Sequence, residues 1–89
     1  MSGLKSALIE QRIVQFIHTE LHVDVDDIDP DVYLGDFGLG SVAAVKLIGI
    51  LEDAFSARLS PTLVFEHPTI AALSKVVEEI ASRAAAQRR

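Results

Sequence analysis

Apolar residues recur every three or four positions along much of this chain. In residues 4–21 they are separated in this way by charged and amide side chains, which is the pattern of an amphipathic helix. The apolar side of this segment carries Ile9, Ile13, Phe16 and Ile17. The pattern therefore predicts a first helix over these residues.

A second helix is predicted over residues 41–55, and its two faces differ in character. At about 100° per residue, apolar side chains gather on one face and a mixed set on the opposite one. The apolar core stripe is Ala44, Leu47, Ile48, Leu51 and Phe55. The opposite set, called the mixed strip below, is Val42, Lys46, Gly49 and Asp53. We expect the mixed strip to be exposed and free to contact a partner.

Two further helices are predicted towards the C-terminus. Residues 60–66 place the capping residues Ser60 and Thr62 around a proline and before three apolar residues, which predicts a very short third helix. A last helix begins near Pro68 and Thr69 and turns four apolar residues inward, namely Ile70, Leu73, Val77 and Ile80. Its outer face offers two ion pairs at four-residue spacing, Lys75–Glu79 and Glu79–Arg83.

Residues 22–40 form a connection that is too long for an ordinary turn. Five apolar residues within it are able to reach a core, so we expect the connection to be ordered. They are Val23, Val25, Ile28, Val32 and Leu34. Asp29 followed by Pro30 matches a helix cap followed by the first helical position, which predicts a single helical turn there.

These elements predict an all-α fold. It is a four-helix bundle of three long helices and one short helix, with a long ordered loop between the first and second helices. The length of 89 residues allows one small domain, residues 1–89. Residues 1–3 and 84–89 are expected to fray. Because so small a core needs the whole apolar stripe of the second helix, a monomer is expected.

Composition and charge remove several classes of function. About half the chain is apolar and a quarter charged, which is typical of a folded domain. The absence of cysteine excludes disulfides and thiolate chemistry of the chain's own, and favours a reducing, cytoplasmic location. No stretch is long and apolar enough to predict a membrane span. The net charge of −5 and six aspartates between positions 24 and 36 disfavour nucleic acid as a partner.

The glycine-containing segment 35–41 matches three nucleotide-site motifs only in part. In a phosphate-binding loop a lysine stands between the last glycine and the serine, whereas here Ser41 directly follows Gly40. A dinucleotide fingerprint needs a preceding strand and a different glycine spacing. The triplet Asp36-Phe37-Gly38 lacks the other protein-kinase signatures. All three motifs are rejected.

The acidic segment does not complete a calcium site. Asp27, Asp29 and Asp31 alternate as an EF-hand loop begins. However, Val32 stands where that loop requires glycine, and Gly38 stands where it requires a glutamate. We interpret these acids as solvated loop residues.

The histidines and aromatic residues suggest no catalytic or metal site. The three histidines are dispersed, which favours surface or capping roles over a metal cluster or a catalytic triad. They are His18, His22 and His67. Tyr33 and the phenylalanines are interpreted as packing groups.

Ser41 is the residue whose position points to a function. It lies where the acidic loop meets the second helix, and a serine at such a junction most often caps the helix. A helix N-terminus also presents unpaired N–H groups and partial positive charge, which stabilise a phosphate esterified there by about 0.3–1 kcal/mol. The flanking glycines keep the approach to the hydroxyl open. A capping role and a phosphate-bearing role are both possible at this point.

In three stretches the order of specific residues, and not only the helical spacing of apolar ones, is informative. They are DFGLGSVAAV at 36–45, LEDAF at 51–55 and LSPTLVFEHPTIAAL at 59–73. They resemble the acyl carrier proteins, over nearly the whole chain. The FEHPTI run at 65–70 is most similar to carriers of modular polyketide and mixed polyketide/peptide synthases. In that family a serine at the start of the second helix receives 4'-phosphopantetheine, and Ser41 occupies that place. The family usually has aspartate immediately before this serine, whereas this chain has Gly40.

The resemblance implies a carrier that catalyses nothing itself. A phosphopantetheinyl transferase would attach the phosphopantetheine of coenzyme A to Ser41, and the thiol of this arm would hold an acyl group as a thioester. Further implied partners are acyl-loading and synthase enzymes, namely an acyltransferase, an acyl-adenylate ligase or a ketosynthase. We expect these enzymes to contact the mixed strip (Val42, Lys46, Gly49 and Asp53) and the acidic loop weakly, since a shuttle must dissociate quickly. Lys46 among few acids is unlike the acidic second helix of bacterial fatty-acid carriers, and favours a specialised synthase.

A second class of function is also open. The chain could be a non-catalytic helical adaptor that binds a partner through its acidic loop or arginine-rich C-terminus, with Ser41 serving only as a helix cap. An enzyme is disfavoured because no nucleophile and base, and no metal-binding set, can be identified. Addition of an arm from coenzyme A would distinguish the carrier from the adaptor.

Overall fold

In a computed structural model of the chain, residues 2–87 are described. Four α-helices are present: α1 at Ser2–Leu21, α2 at Ser41–Phe55, α3 at Leu63–Glu66 and α4 at Ile70–Gln87. Two short 3-10 helices, Val25–Asp27 and Leu34–Phe37, lie in the connection between α1 and α2. Within residues 2–87 the β structure consists of one isolated antiparallel bridge between Tyr33 and Thr69. The predicted all-α fold of three long helices and one short helix is confirmed.

The core forms where α1 packs against α4 and α2. Each long helix contributes fully buried apolar side chains, as the periodicity predicted. They include Ile9, Ile13 and Ile17 from α1, Leu47 and Leu51 from α2, and Ile70, Leu73 and Val77 from α4. Phe55 and Ile80, also predicted to face inward, are only partly buried and pack against the edge of this core.

The connection between α1 and α2 packs onto the bundle, as expected from its apolar residues. Ile28 and Leu34 are buried, whereas Val25 is 49% exposed. The Leu34 N–H donates to the Pro68 carbonyl at 2.7 Å, and the Ala71 N–H donates to the Pro30 carbonyl at 3.1 Å. The connection thus satisfies an N–H group in the first turn of α4, which has no partner within its own helix.

At Asp29-Pro30, where a single helical turn was predicted, the structure has one hydrogen-bonded turn and no helix. The Val32 N–H donates to the Asp29 carbonyl at 3.2 Å, and the Asp31 N–H donates to the Asp29 carboxylate at 2.9 Å. Asp29 therefore closes a single turn with its side chain, as aspartate often does. The turn does not continue into a helix because Tyr33, two residues after Asp31, is extended and pairs with Thr69.

Two helices are longer than predicted. α1 already begins at Ser2, and α4 continues through the alanine-rich segment to Gln87. Alanine is the best helix former, so the extension of α4 agrees with local propensity. Fraying of both ends in solution stays a prediction, and Met1, Arg88 and Arg89 lie outside the described residues.

The two ion pairs predicted on α4 are absent. Neither Lys75–Glu79 nor Glu79–Arg83 forms a salt bridge, and the ion pair found in the described part of the chain joins Lys46 to Glu20. Fixing two long exposed side chains in one geometry costs entropy, so such surface pairs contribute little.

α4 also buries two polar side chains. Glu78 is 9% exposed, and its Oε2 accepts a hydrogen bond from the Ser6 N–H at 3.2 Å, near the start of α1. Ser74 is fully buried, and its hydroxyl has no hydrogen-bond partner. A buried polar group without a partner costs about 1–3 kcal/mol.

Replacing Ser74 with alanine is therefore expected to raise the free energy of unfolding by about 1 kcal/mol. Urea denaturation measures the change. Ser82→Ala is the matched control, because Ser82 is exposed on the same helix and gains only helix propensity, a few tenths of a kcal/mol. Equal gains in the two variants would show that the buried hydroxyl carries no penalty.

Candidate functional site

The candidate site lies at the N-terminus of α2. Gly40 is the N-cap residue, with extended backbone angles, and its carbonyl accepts the Ala44 N–H at 2.9 Å. Ser41 is consequently the first helical residue, and α2 has no side-chain capping hydrogen bond. The alternative in which Ser41 caps this helix is therefore not supported. Ser41 is exposed, which leaves its hydroxyl available for chemistry.

The backbone around Ser41 is suited to an anionic substituent. Within residues 2–87, the N–H groups of Ser41, Val42 and Ala43 have no hydrogen-bond acceptor. The first turn of α2 contains no acidic residue that would neutralise the partial positive charge of these groups. A phosphate oxygen on Ser41 would meet unpaired N–H donors here.

The two glycines closest to Ser41 have different roles. Gly38 has a φ of 91°, a left-handed conformation that an L-residue adopts only with strain. Gly40 is extended, and a side chain added there would meet nothing within 4 Å. The backbone therefore requires glycine at 38 but not at 40. Gly40 leaves the approach to Ser41 open.

Replacing Gly40 with aspartate is expected to preserve the fold and to stabilise it by about 0.5 kcal/mol. An aspartate at the N-cap accepts an N–H of the first turn and complements the helix dipole. Gly38→Asp, the matched control, should instead destabilise the protein by about 1 kcal/mol because of its backbone angle. Thermal and urea denaturation of both variants measure these opposite shifts. Destabilisation by Gly40→Asp would contradict the assignment of position 40 as an open N-cap.

The four residues of the mixed strip lie on one side of α2 but do not form a compact site. Val42 is 76% exposed, Lys46 and Asp53 are exposed, and Gly49 is half-buried. Val42 and Asp53 are eleven positions apart, a distance of about 17 Å along the helix axis. Only Val42 is therefore a direct neighbour of Ser41. Lys46 Nζ lies 3.1 Å from Glu20 Oε1 on α1.

Sequence reasoning missed three exposed apolar residues near the site. Val45 is 57% exposed and lies one turn beyond Ser41. At about 100° per residue, Val45 lies about 40° from Ser41 around the helix axis. Its position beside Ser41 was therefore predictable from the sequence by the arithmetic that defined the mixed strip. Tyr33 and Phe65 are 61% and 59% exposed, so their interpretation as packing groups is wrong.

Tyr33 and Phe65 line an open, mainly apolar groove beside the site. The groove has a volume of about 460 Å³ and lies between the 3-10 helix Leu34–Phe37 and α3. Its lining includes Leu39, two residues before Ser41, and also Asp36. The surface next to the N-terminus of α2 therefore combines apolar side chains with one carboxylate.

The histidines stay apart. His18 Nδ1 donates to the Val23 carbonyl at 2.9 Å, which ties the end of α1 to the connection. His22 is exposed and His67 half-buried. Within residues 2–87, acidic and histidine side chains nowhere form a group arranged to hold a metal ion. None of the helices in that range has the length and apolarity needed to cross a membrane.

Comparison with known proteins identifies relatives of this arrangement. Residues 11–77 match the family model described as the phosphopantetheine attachment site. A free-standing peptidyl carrier protein from a secondary metabolic pathway of Acinetobacter baumannii is 33% identical, with a TM-score of 0.78 over 84% of this chain and 94% of that one. The A1-type ACP domain from module 5 of MLSA1 is 25% identical, with a TM-score of 0.77 over 90% of this chain and 81% of that one.

Curated relatives are polyketide synthases. The phenolphthiocerol synthesis polyketide synthase type I Pks15/1 of Mycobacterium bovis is 41% identical over 54 residues, which is 61% of this chain. This chain spans only about 3% of the length of that protein.

The residues at the N-terminus of α2 fit the group that this family carries. The Ser41 hydroxyl is exposed and caps no helix, unpaired N–H donors lie beside it, and Gly40 leaves room around it. The family match extends over well more than half of the chain and includes these residues. The chain therefore belongs to the phosphopantetheine attachment site family, whose members are carrier proteins with covalently attached 4'-phosphopantetheine.

Proposed function

We propose that this chain is an acyl carrier protein that bears 4'-phosphopantetheine on Ser41. It shuttles a thioester-bound acyl intermediate between enzymes of polyketide or related secondary-metabolite biosynthesis. The observation that carries the proposal is the exposed, non-capping Ser41 hydroxyl at the first position of α2. When bound, the group supplies a thiol that holds the acyl group as an activated thioester.

The part of this chain in the attachment step is to present a nucleophile and to stabilise the product. Ser41 Oγ forms a bond to the pantetheine-bearing phosphorus of coenzyme A, the bond from that phosphorus to the bridging oxygen breaks, and adenosine 3',5'-bisphosphate leaves. The proton of Ser41 goes to a base of the transferase, since the exposed Ser41 hydroxyl has no hydrogen-bonded side chain within the described residues. The free N–H groups of Ser41, Val42 and Ala43 favour the anionic phosphodiester by about 0.3–1 kcal/mol.

The partners in this proposal are enzymes. A phosphopantetheinyl transferase modifies the chain, and an acyltransferase, an acyl-adenylate ligase or a ketosynthase then loads it or receives its cargo. These enzymes contact the mixed strip and the acidic loop in short-lived complexes. The carrier acts as a monomer in the cytoplasm, where reducing conditions keep a thiol free.

Arm addition tests the proposal directly. The protein is incubated with coenzyme A and a broad-specificity phosphopantetheinyl transferase, and its intact mass is measured. The expected result is addition of a single phosphopantetheine. An unchanged mass, with a known carrier modified in the same reaction, would overturn the proposal and favour the adaptor.

Replacing Lys46 with glutamate is expected to slow acyl transfer to a ketosynthase of the same pathway roughly tenfold at low ionic strength, because reversing a charge at the edge of an interface lowers the association rate. The domain should stay folded, since Lys46 is exposed. Single-turnover kinetics at low and high ionic strength measure the effect, which should shrink as salt is added.

The contact with Glu20 calls for a control, because glutamate at 46 would face a second carboxylate. The charge swap Lys46→Glu with Glu20→Lys restores the intramolecular pair and keeps the reversed charge on α2. Transfer by the double variant should stay slow if the partner detects the charge at position 46. Full recovery in the double variant would show that Lys46 acts only within the domain.

A further inference from the structure

An open groove runs between α1 and α2, away from the attachment site. Two adjoining pockets of about 370 and 200 Å³ form it, and Arg12 and Gln15 line both of them. We infer that this α1–α2 groove binds an amphipathic helix of a partner protein, in which one carboxylate stands between two apolar residues. The inference goes beyond the carrier function, since it requires neither Ser41 nor the arm.

One face of α1 forms the first wall of the groove. Its members follow one another at helical spacing and are all exposed. They are Leu8, Arg12, Gln15 and Thr19. Leu8 and Thr19 are eleven positions apart, about 17 Å along the helix axis. This wall is about three helical turns long, which is enough to seat a partner helix of similar length.

The groove exposes apolar side chains in both pockets. Leu8 is 49% exposed and lines the first pocket together with the half-buried Phe55 at the end of α2. Ile50 is 39% exposed and lines the second pocket above the buried Phe16. The core leaves part of Leu8 and Ile50 in contact with water, so this apolar area is available to a partner.

One unpaired charge lies between the two apolar places. Arg12 is exposed and lines both pockets, and the ion pair found within residues 2–87 joins Lys46 to Glu20 instead. A carboxylate of the partner therefore meets a free guanidinium, which binds carboxylates through two parallel hydrogen bonds. Further carboxylates would be repelled by the net charge of −5. A partner segment with a single acid at its centre is complementary to this groove.

A helix suits the groove better than an extended segment does. An extended segment pairs its backbone with an exposed strand, and within residues 2–87 the isolated bridge from Tyr33 to Thr69 is the β structure. A helix satisfies its own backbone and needs only side-chain contacts. Its side chains two turns apart are about 11 Å apart along the axis, close to the roughly 12 Å between Leu8 and Phe16 along α1. An acid one turn after the first apolar residue then reaches Arg12.

A second copy of this chain is a poorer occupant. A two-fold contact through the groove would bring the two Arg12 side chains towards each other, because Arg12 lies at its centre. Two like charges without a carboxylate between them repel. Analytical ultracentrifugation of the unaltered chain should accordingly show a monomer. A dimer that Leu8→Ser dissociates would overturn the choice of occupant.

The groove is remote from the attachment serine. Ile50 lies about 180° around the axis of α2 from Ser41 and about 14 Å along it. Phe55 lies about 21 Å along the same axis from Ser41. A helix bound in the groove therefore leaves Ser41 uncovered, and it holds the carrier beside an enzyme while the arm is in use. Such tethering raises the effective concentration of the carrier at that enzyme.

Binding of synthetic peptides to the whole chain tests the inference. The first probe is a fluorescein-labelled, alanine-based helix with two leucines two turns apart and a glutamate one turn after the first leucine. The second probe has lysine in place of that glutamate. We expect saturable binding of the glutamate peptide by fluorescence anisotropy. Arg12→Glu should weaken it about tenfold and strengthen binding of the lysine peptide by a similar factor, because the charge pair is reversed.

The apolar contacts have variants of their own. Leu8→Ser combined with Ile50→Ser is expected to weaken binding of the glutamate peptide about tenfold. Val45→Ser is the matched control, because Val45 is 57% exposed on α2 but lies about 140° from Ile50 around the axis. Its binding should stay within about twofold of the original protein. Circular dichroism and urea denaturation confirm folding, and the exposed Arg12 keeps the test decisive if the serine double variant unfolds.

Any of three results would overturn the inference. They are the absence of saturable binding of the glutamate peptide, binding that Arg12→Glu leaves unchanged, and arm addition to Ser41 that the bound peptide blocks. Failure of the carrier function is distinguishable, because peptide binding is measured without coenzyme A and Ser41→Ala should bind the peptide as the original protein does. Intact peptide binding without arm addition would refute the carrier function alone.

Discussion

Replacing Ser41 with alanine is expected to abolish addition of the phosphopantetheine arm completely. The reaction needs a hydroxyl nucleophile, and alanine supplies none. The fold should be unaffected, because Ser41 is exposed and its side chain caps no helix. Alanine is also well tolerated at the first turn of a helix. Intact mass after incubation with coenzyme A and a transferase measures the first effect, and urea denaturation measures the second.

Ser82→Ala is the control for that experiment. Ser82 is an exposed serine on α4, so the variant removes a hydroxyl of similar accessibility from another part of the molecule. It should accept the arm at the original rate. Arm addition to the Ser41→Ala protein, located on any other residue by peptide mapping, would refute the assignment of the attachment site.

The second large effect concerns stability. Replacing Leu34 with alanine is expected to lower the free energy of unfolding by about 2–5 kcal/mol, the range for removing a fully buried leucine side chain. Leu34 is 1% exposed, and its N–H donates to the Pro68 carbonyl ahead of α4. Domains of this length have a total stability of roughly 4–13 kcal/mol. The loss would therefore be a large part of the total.

Val25→Ala provides the comparison from the same loop. Val25 is 49% exposed, so its truncation should change the free energy of unfolding by no more than about 0.5 kcal/mol. Urea denaturation of both variants measures the difference, and hydrogen exchange of the amides in residues 22–40 reports loosening of the loop. Similar small losses in both variants would show that the connection contributes little to the core.

The helices were predictable because their signal is local and repeated. α2 has the bounds that were predicted for it, 41–55: the helix begins directly after Gly40, its apolar stripe ends at Phe55, and the next residue, Ser56, is left-handed. The position of Ser41 follows from those bounds. The ends of α1 and α4 were less predictable because there the apolar period stops while helix-forming residues continue.

Burial of individual side chains in the loop and in α3 was less predictable. Leu34 and Tyr33 are neighbours with similar apolar character, yet the first is buried and the second is exposed. The antiparallel bridge between Tyr33 and Thr69 and the hydrogen bond from the Leu34 N–H to the Pro68 carbonyl fix how this segment lies on the bundle. That bridge joins residues far apart in the chain, and no local sequence pattern predicts it.

Thus the sequence by itself determined the class of fold, the three long helices, and a serine placed at the start of the second one. These features depend on side-chain periodicity and on residues within a few positions of each other. Only the tertiary structure decided that Lys46 is bound to Glu20 and that Tyr33 and Phe65 are exposed near the site. The physical reason is that these outcomes depend on which distant backbone and side-chain groups meet after the helices have packed.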